Sequence, residues 1–138
     1  MANAIYPLWK QEILKGTANN LLNSATGATG VFVALVDTGT YTYSAAHQFY
    51  SSLTGIVGTD QEILTKTQVT GTFDGDDVTF TAVSGVSVEA LVLYRKNAGA
   101  NTTWPLIAYI DTGVTGLPVT PNGGNITITW NASGIFTL

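Results

Sequence analysis

Two long apolar strands near the middle of the chain constrain its fold more than any other feature. Residues 86–94 and 106–111 carry apolar side chains at both odd and even positions in the middle of each run. Because successive side chains of a strand point to opposite faces, this pattern is typical of central strands that are covered on both sides. The polar segment 97–103 between them contains a glycine and predicts a hairpin loop.

The composition favours one β-rich domain without disulfides. The chain has 138 residues, no cysteine and one histidine, and threonine, glycine, valine and alanine are abundant. A chain of this length suits a single domain that buries its own core. Without cysteine it forms no disulfide and carries out no thiolate chemistry.

The charges argue against a nucleic-acid partner, and the apolar runs argue against a membrane partner. The net charge is −4, and the five basic residues are scattered, whereas nucleic-acid binding requires a basic stripe. No apolar run approaches the roughly 20 residues of a membrane helix, and the first residues lack the pattern of a secretory signal. We therefore expect a soluble protein that is made in the cytoplasm.

The first third of the chain predicts a short helix followed by strands. Residues 5–15 are expected to be helical, with Pro7 in the first turn and Gly16 as the C-terminal cap. Residues 17–30 predict a short edge strand and a turn, and residues 31–36 predict a buried strand. A second short helix is expected from Ser44 to Leu53, followed by a connection or lid over residues 54–66.

The remaining elements predict a β-sandwich. Residues 69–73 and 78–83 alternate with period two and predict a hairpin around Asp74, Asp76 and Asp77. A long connection over 112–125 precedes strands at 126–130 and 135–138. Seven or eight strands separated by turns indicate a mainly β, single-domain sandwich of jelly-roll type with one or two short helices. We assign residues 1–16 to an N-terminal arm and residues 17–138 to the sandwich.

Candidate catalytic groups are few. His47 is the one available imidazole, but no Gly-x-Ser-x-Gly context accompanies it, so we interpret it as structural. The carboxylates at 74–77 are the type of ligand that Ca²⁺ prefers, yet aspartate and glycine are also what a turn requires, and we favour the turn. We expect no enzyme activity, no metal and no cofactor.

Four segments resemble a known family of virion proteins. They are residues 33–49 (VALVDTGTYTYSAAHQF), 77–85 (DVTFTAVSG), 89–94 (EALVLY) and 117–124 (LPVTPNGG). The chain is similar in these segments to the cement, or decoration, proteins on the capsids of short-tailed bacteriophages and prophages. The resemblance implies a jelly-roll sandwich, a location on the capsid exterior, and a small homo-oligomer, a dimer or a trimer, that bridges major capsid protein subunits. It implies no catalytic residues.

The expected contact residues lie mainly in the N-terminal arm. Aromatic and large apolar side chains are favoured interface anchors, and a helix this short needs few of them for its own packing. We therefore expect Ile5, Tyr6, Leu8, Trp9 and Trp104 to contact the capsid or a second copy, and we expect the sandwich to fold without the arm. Two alternatives remain open: a carbohydrate-binding module of a fibre or spike that uses Trp104 or Tyr109, and a Ca²⁺-dependent hydrolase.

Overall fold

The computed structural model describes residues 3–17 and 29–138, and it is mainly β with antiparallel sheets and one α-helix. This confirms the predicted class, a small single-domain β-sandwich. The helix α1 spans Pro7–Lys15. The strands are β1 (Ala4–Ile5), β2 (Val31–Val36), β3 (Ile56–Glu62), β4 (Thr67–Val69), β5 (Thr72–Asp74), β6 (Val78–Phe80), β7 (Ala90–Arg95), β8 (Leu106–Ile110), β9 (Ile126–Ile128) and β10 (Phe136–Thr137).

The largest sheet has five strands in the order β1-β8-β7-β2-β3, so β7 lies at its centre. Val92 pairs with Ala34 on β2 and with Tyr109 on β8, while Leu93 pairs with Val33 and Ala108. All six of these side chains are buried, which confirms that the two apolar strands are covered on both faces. The first strand is shorter than expected, because β7 begins at Ala90 and Val86 is exposed.

Different parts of the chain cover the sheet. On the face that carries Val92, segment 41–53 lies across the strands: Tyr43 packs on Tyr109 with ring centroids 5.6 Å apart, and Tyr50 packs on Tyr94 at 4.5 Å. Two smaller sheets, β10-β5-β4 and β6-β9, contribute to the same hydrophobic cluster as the large sheet. The core is therefore continuous through the whole domain.

Segment 41–53 is not the second helix that the sequence predicted. The structure has a turn at residues 45–46 and a single 3₁₀ turn at Tyr50–Ser52. The apolar spacing of Ala46, Phe49, Tyr50 and Leu53 reflects contact with the sheet below, because the backbone of this segment bonds to strand neighbours. Tyr50 N–H donates to the Trp104 carbonyl at 2.9 Å, and Leu106 N–H donates to the Gln48 carbonyl at 2.9 Å.

The predicted lid over 54–66 is also wrong, because residues 56–62 form β3 at the edge of the large sheet. The register between β2 and β3 shifts between Val33 and Leu35, and Gly58 in β3 has a φ of 74°. Between the pairs formed by Val33 and Leu35, β3 has two more residues than β2, and extra residues of this kind let an edge strand bend and twist. The bend separates the apolar half of β3 from its polar end.

The predicted hairpin around the aspartates is wrong as well. β5 pairs with β4 through a tight turn at Thr70-Gly71, where φ is 47° and 80°, whereas β6 pairs with β9 from the far end of the chain. Both strand segments were recognised, but their partners were not. Residues 74–77 connect two different sheets.

The N-terminal arm is part of the sandwich. β1 pairs with β8, placing Ala4 opposite Tyr109, and Asn3 Oδ1 accepts the backbone N–H groups of Asp111 at 2.8 Å and Thr112 at 3.0 Å. The predicted boundary at residue 16 therefore does not separate an arm from a sandwich. The helix is confirmed from Pro7 onward, and its cap Gly16 adopts the left-handed conformation with a φ of 73°, but the predicted start at residue 5 is wrong because Ile5 belongs to β1.

Two further points concern the extent of the described structure. The edge strand predicted within residues 17–30 falls mostly on residues 18–28, which lie outside the described residues. In the part of the chain that is described, no helix has the length and apolar character required to cross a membrane.

Candidate functional site

The predicted contact residues do not form one exposed surface. Tyr6 and Trp9 are buried, with 0% and 3% of their surface exposed, while Ile5 and Leu8 are partly buried. The expectation that Tyr6 and Trp9 project from the domain is therefore wrong. Trp104 lies at another place, in the aromatic layer above β7, and is partly buried.

Tyr6 is a core residue that fixes the start of α1. Its N–H donates to the Ile107 carbonyl at 2.9 Å, and its hydroxyl lies 2.7 Å from the hydroxyl of Tyr41. Burial raises the pKa of the Tyr6 hydroxyl well above its usual range, and the hydrogen bond with Tyr41 adds to the shift. Tyr6 therefore remains neutral and joins the helix to the sheet.

Trp9 joins α1 to β10 and, through Phe136, to β5. Its ring meets Phe136 of β10 edge to face with centroids 5.8 Å apart, and Phe136 stacks on Phe73 of β5 at 5.2 Å. Aromatic pairs in these arrangements add to the stabilisation that their buried area provides. The helix is thus held against β5 and β10.

An apolar groove remains open beside this aromatic contact. It has a volume of about 190 Å³, and its accessible lining is almost entirely apolar. Its residues come from α1, the β4–β5 hairpin and the end of the chain: Trp9, Ile13, Gln68, Gly71, Thr72, Phe73, Phe136 and Leu138. We call this surface the α1 groove. The sequence indicated Trp9 but not its neighbours.

Exposed leucines accompany the α1 groove. Leu14 follows the lining residue Ile13 and is 89% exposed, and Leu138, which itself lines the groove, is 58% exposed. Contiguous exposed apolar surface on a soluble domain marks sites of contact with other molecules. In the sequence, the run Ile13-Leu14 could have indicated an exposed apolar side chain, because a helix that packs on one side needs only one of these two residues for its packing.

Two of the three charged residues of α1, Glu12 and Lys15, form an ion pair, and neither lines the groove. Glu12 accepts a bond from Lys15 Nζ at 2.9 Å and one from Thr17 Oγ1 at 2.8 Å. The bond from Lys15, and to a smaller extent that from Thr17, holds the pKa of the Glu12 carboxyl below its usual value. The groove therefore presents shape and apolar surface to a partner rather than a strong local charge.

Trp104 is not among the residues of the α1 groove. Its indole N–H is shared between the carbonyls of Asn97 at 3.1 Å and Gly99 at 3.0 Å, and its ring lies parallel to Tyr94 with centroids 5.9 Å apart. Tyr109, the other candidate for carbohydrate contact, is 3% exposed and lies beneath Tyr43. A sugar surface that uses Tyr109 is therefore excluded.

The remaining candidate residues have structural partners. His47 Nδ1 lies 2.9 Å from the Tyr41 hydroxyl, which extends the chain of hydrogen bonds from Tyr6. Asp76 accepts the hydroxyl of Thr65 at 2.7 Å, and Asp77 accepts the N–H of Trp130 at 3.0 Å. Within residues 3–17 and 29–138, no three histidine or carboxylate side chains are grouped so that they could hold a metal ion.

Comparison of the chain with protein-family models and with curated proteins found no match.

Proposed function

We propose that this protein is a structural component of a bacteriophage virion, a decoration protein on the exterior of the head. In this role a small homo-oligomer bridges and stabilises neighbouring major capsid protein subunits. The proposal is supported by the four segments that resemble this family and by one structural observation, the open α1 groove with its exposed leucines. A large apolar surface of this kind serves the binding of another protein better than it serves a polar substrate.

We assign the α1 groove to a second copy of the chain. Interfaces between identical subunits are more apolar than transient interfaces, and the accessible lining of the groove is almost entirely apolar. Leu14 protrudes from the same helix that supplies Trp9 and Ile13 to the groove, so α1 offers both part of a recess and an exposed side chain that could fill the recess of another copy. In a two-fold arrangement Leu14 of each copy enters the groove of the other, and the contact closes on itself.

Oligomerisation explains how a domain this small strengthens a shell. Each copy in the oligomer presents the same capsid-binding surface, so binding of one copy raises the effective concentration of the next at a neighbouring capsid subunit. The gain exists only where the lattice holds those subunits at fixed positions. The oligomer therefore binds assembled heads and not isolated capsid subunits.

The experiment compares two exposed leucines. Leu14→Gln changes the proposed interface, and Leu64→Gln changes a leucine that is 49% exposed and does not line the groove. Sedimentation equilibrium measures the oligomeric state of each variant, and co-sedimentation with undecorated heads measures binding to the particle. We expect Leu14→Gln to weaken self-association by about tenfold or more, a change of about 1.4 kcal/mol, and to weaken head binding with it.

The outcomes separate the two parts of the proposal. Wild-type protein that sediments as a monomer at all concentrations contradicts the assignment of the groove to a second copy. Failure of the wild type to bind heads contradicts the decoration function, whatever the oligomeric state. The Leu64→Gln variant is expected to match the wild type in both measurements.

The carbohydrate-binding alternative has less support. The indole N–H of Trp104 is already bonded within the chain, so it offers a sugar no free hydrogen-bond donor, and the ring of Tyr109 is buried. Copy number distinguishes the two functions, because a decoration protein is present in many more copies per particle than the tip of a fibre. The hydrolase alternative predicts an activity that a chelator removes.

A further inference from the structure

We propose a second binding site, independent of the decoration function, that takes an organic ammonium group. It is formed by four aromatic residues, Phe32, Tyr50, Tyr94 and Trp104, around the carboxylate of Asp60. We call these five residues the aromatic cluster. It lies over the β3–β2–β7 side of the large sheet, whereas α1 lies beside β5 and β10.

The rings of the aromatic cluster form a row. Phe32 and Tyr94 stack with centroids 5.9 Å apart and an angle of 23°, and Tyr94 and Trp104 stack at 5.9 Å and 8°. The row follows from strand register, because Phe32 pairs directly with Tyr94 across β2 and β7. Phe32 and Trp104 are partly exposed at its two ends, so solvent reaches the row.

A carboxylate lies next to this row. Asp60 Oδ2 accepts the hydroxyl of Tyr50 at 2.9 Å and that of Tyr94 at 2.8 Å. Asp60 Oδ1 is buried and accepts no hydrogen bond from the described part of the chain. Burial raises the pKa of the Asp60 carboxyl, while the two tyrosine hydroxyls and the charge of Lys96 oppose that shift. A buried carboxylate oxygen without a donor favours a positively charged neighbour.

The chain itself shows which ligand chemistry fits. The ammonium group of Lys96 lies 5.2 Å from the centroid of Phe32 and 5.1 Å from that of Trp104, within the range of cation–π attraction. Lys96 is partly exposed and reaches the rings on a flexible side chain. Its head group therefore occupies the site as a removable internal cation, and an external ammonium group competes with it.

The charge of the site selects cations over other ligands. An anionic ligand would meet the Asp60 carboxylate and a protein of net charge −4. A neutral sugar would gain ring contacts but would leave the carboxylate without a cation if it displaced Lys96. Aromatic rings combined with a carboxylate are the arrangement that holds alkylammonium groups. A free small cation and a lysine side chain of a partner protein share this chemistry.

The test removes the internal cation and offers two external ones. Lys96→Met keeps an unbranched apolar side chain but no charge, and Lys10→Met, on the exposed side of α1, is the matched control. The probes are choline and Nα-acetyl-lysine methylamide, added at constant ionic strength with sodium chloride as the blank. Binding is followed by NMR through the indole N–H signal of Trp104, which the variant Trp104→Leu identifies.

We expect both probes to shift the Trp104 signal saturably in Lys96→Met, with at least about tenfold higher affinity than in wild type. Lys10→Met is expected to match the wild type. Adding Trp104→Leu to Lys96→Met should weaken binding about tenfold, measured on the backbone signal of Phe32. Binding of choline alone assigns the site to small cations, and binding of the lysine probe alone assigns it to a partner's lysine.

Three results overturn the proposal. The first is no saturable shift with either probe in Lys96→Met, checked by circular dichroism to be folded. The second is equal affinity in Lys96→Met and wild type, and the third is binding that Trp104→Leu leaves unchanged. If Trp104→Leu fails to fold, Phe32→Leu replaces it as the ring deletion, with the Trp104 signal as the readout. None of these results bears on head binding, so the two proposals fail separately.

Discussion

Trp9 in the first helix packs edge to face on Phe136 in the last strand, with ring centroids 5.8 Å apart. This contact joins two elements that are far apart in the sequence and closes one side of the α1 groove. An aromatic residue expected to reach outward thus holds the domain together. The α1 groove that it borders depends on the same contact.

Replacing Trp9 with alanine should destabilise the domain strongly. Trp9 is 3% exposed, and removal of a buried tryptophan costs about 3–5 kcal/mol. The measurement is urea unfolding followed by circular dichroism. Leu14→Ala is the control, since this side chain is 89% exposed and should change the unfolding free energy by no more than about 0.5 kcal/mol. Equal stability of the two variants would contradict the docking of α1.

A charge at the centre of the large sheet should prevent folding. Val92 and Ile110 are 0% and 3% exposed, and an unpaired buried carboxylate costs several kcal/mol, roughly the stability of a small domain. We expect Val92→Asp and Ile110→Asp to accumulate as unfolded or aggregated protein on expression. Val69→Asp places the same charge on an exposed strand residue and should remain folded. A soluble Val92→Asp protein that unfolds in a cooperative transition would show that β7 is not a central strand.

Glycines 113 and 116 differ in the space around them and provide a matched pair. A Cβ at Gly116 would lie 2.5 Å from the Thr127 carbonyl oxygen, whereas nothing lies within 4 Å of one at Gly113. Both have positive φ, 76° at Gly113 and 113° at Gly116, so alanine is strained at either position. We expect Gly113→Ala to cost about 1 kcal/mol and Gly116→Ala clearly more, because its collision is with backbone. Thermal unfolding measures both, and equal melting temperatures would contradict the close approach.

Tyr50 and Tyr94 should make the stability of the domain sensitive to alkali. Burial, and then the charge of Asp60, raise the pKa of Tyr50 and Tyr94 above 10.0, the usual value. The folded state therefore holds these protons more tightly than the unfolded state. The stability contributed by the neutral hydroxyls is complete below pH 10 and is lost as the pH rises beyond it.

The measurement is the unfolding free energy in urea as a function of pH. We expect it to decline above about pH 10, and to decline less steeply in Tyr94→Phe, which has one fewer group of this kind. The comparison uses slopes, so a constant loss of stability in the variant does not affect it. An identical slope in both proteins would show that Tyr94 ionises as freely in the folded state as in the unfolded chain.

The sequence was informative where a local pattern and the tertiary environment agree. The continuous apolar runs of β2, β7 and β8 predicted buried central strands, and Gly16 predicted the C-terminal end of α1. In each case the same residues that favour the element also determine its burial. These predictions did not require knowledge of the pairing partner.

The errors arose where the partner is distant in sequence. β6 and β5 alternate like the arms of one hairpin, but β6 pairs with β9, and a turn with positive φ at Thr70 pairs β5 with β4. Threonine rarely adopts that conformation, so the turn had no recognisable signal. β3 was missed because an edge strand needs few apolar residues, and segment 41–53 acquired a helical spacing by covering a sheet.

The burial of Tyr6 and Trp9 was missed for the same reason. Ile5, Tyr6, Leu8 and Trp9 were judged against a helix packed on one side, and the pairing of β1 with β8 could not be seen in the sequence. That pairing buries Tyr6 within the large sheet, and β10 buries Trp9. The expectation that the sandwich folds without the arm of residues 1–16 is therefore replaced by its opposite, because removal of the arm takes away the edge strand β1 and the core side chains of Tyr6 and Trp9.

The contact between α1 and β10 also determines when the α1 groove can form during synthesis. A ribosome makes residue 9 long before residue 136, so α1 emerges without the strand that completes its binding surface. The α1 groove comes into existence only after Phe136 and Leu138 have emerged and docked. Nascent chains on one messenger therefore cannot recognise each other through it while they are being made. The self-association that we propose for this groove therefore requires residues 136–138 to have been made.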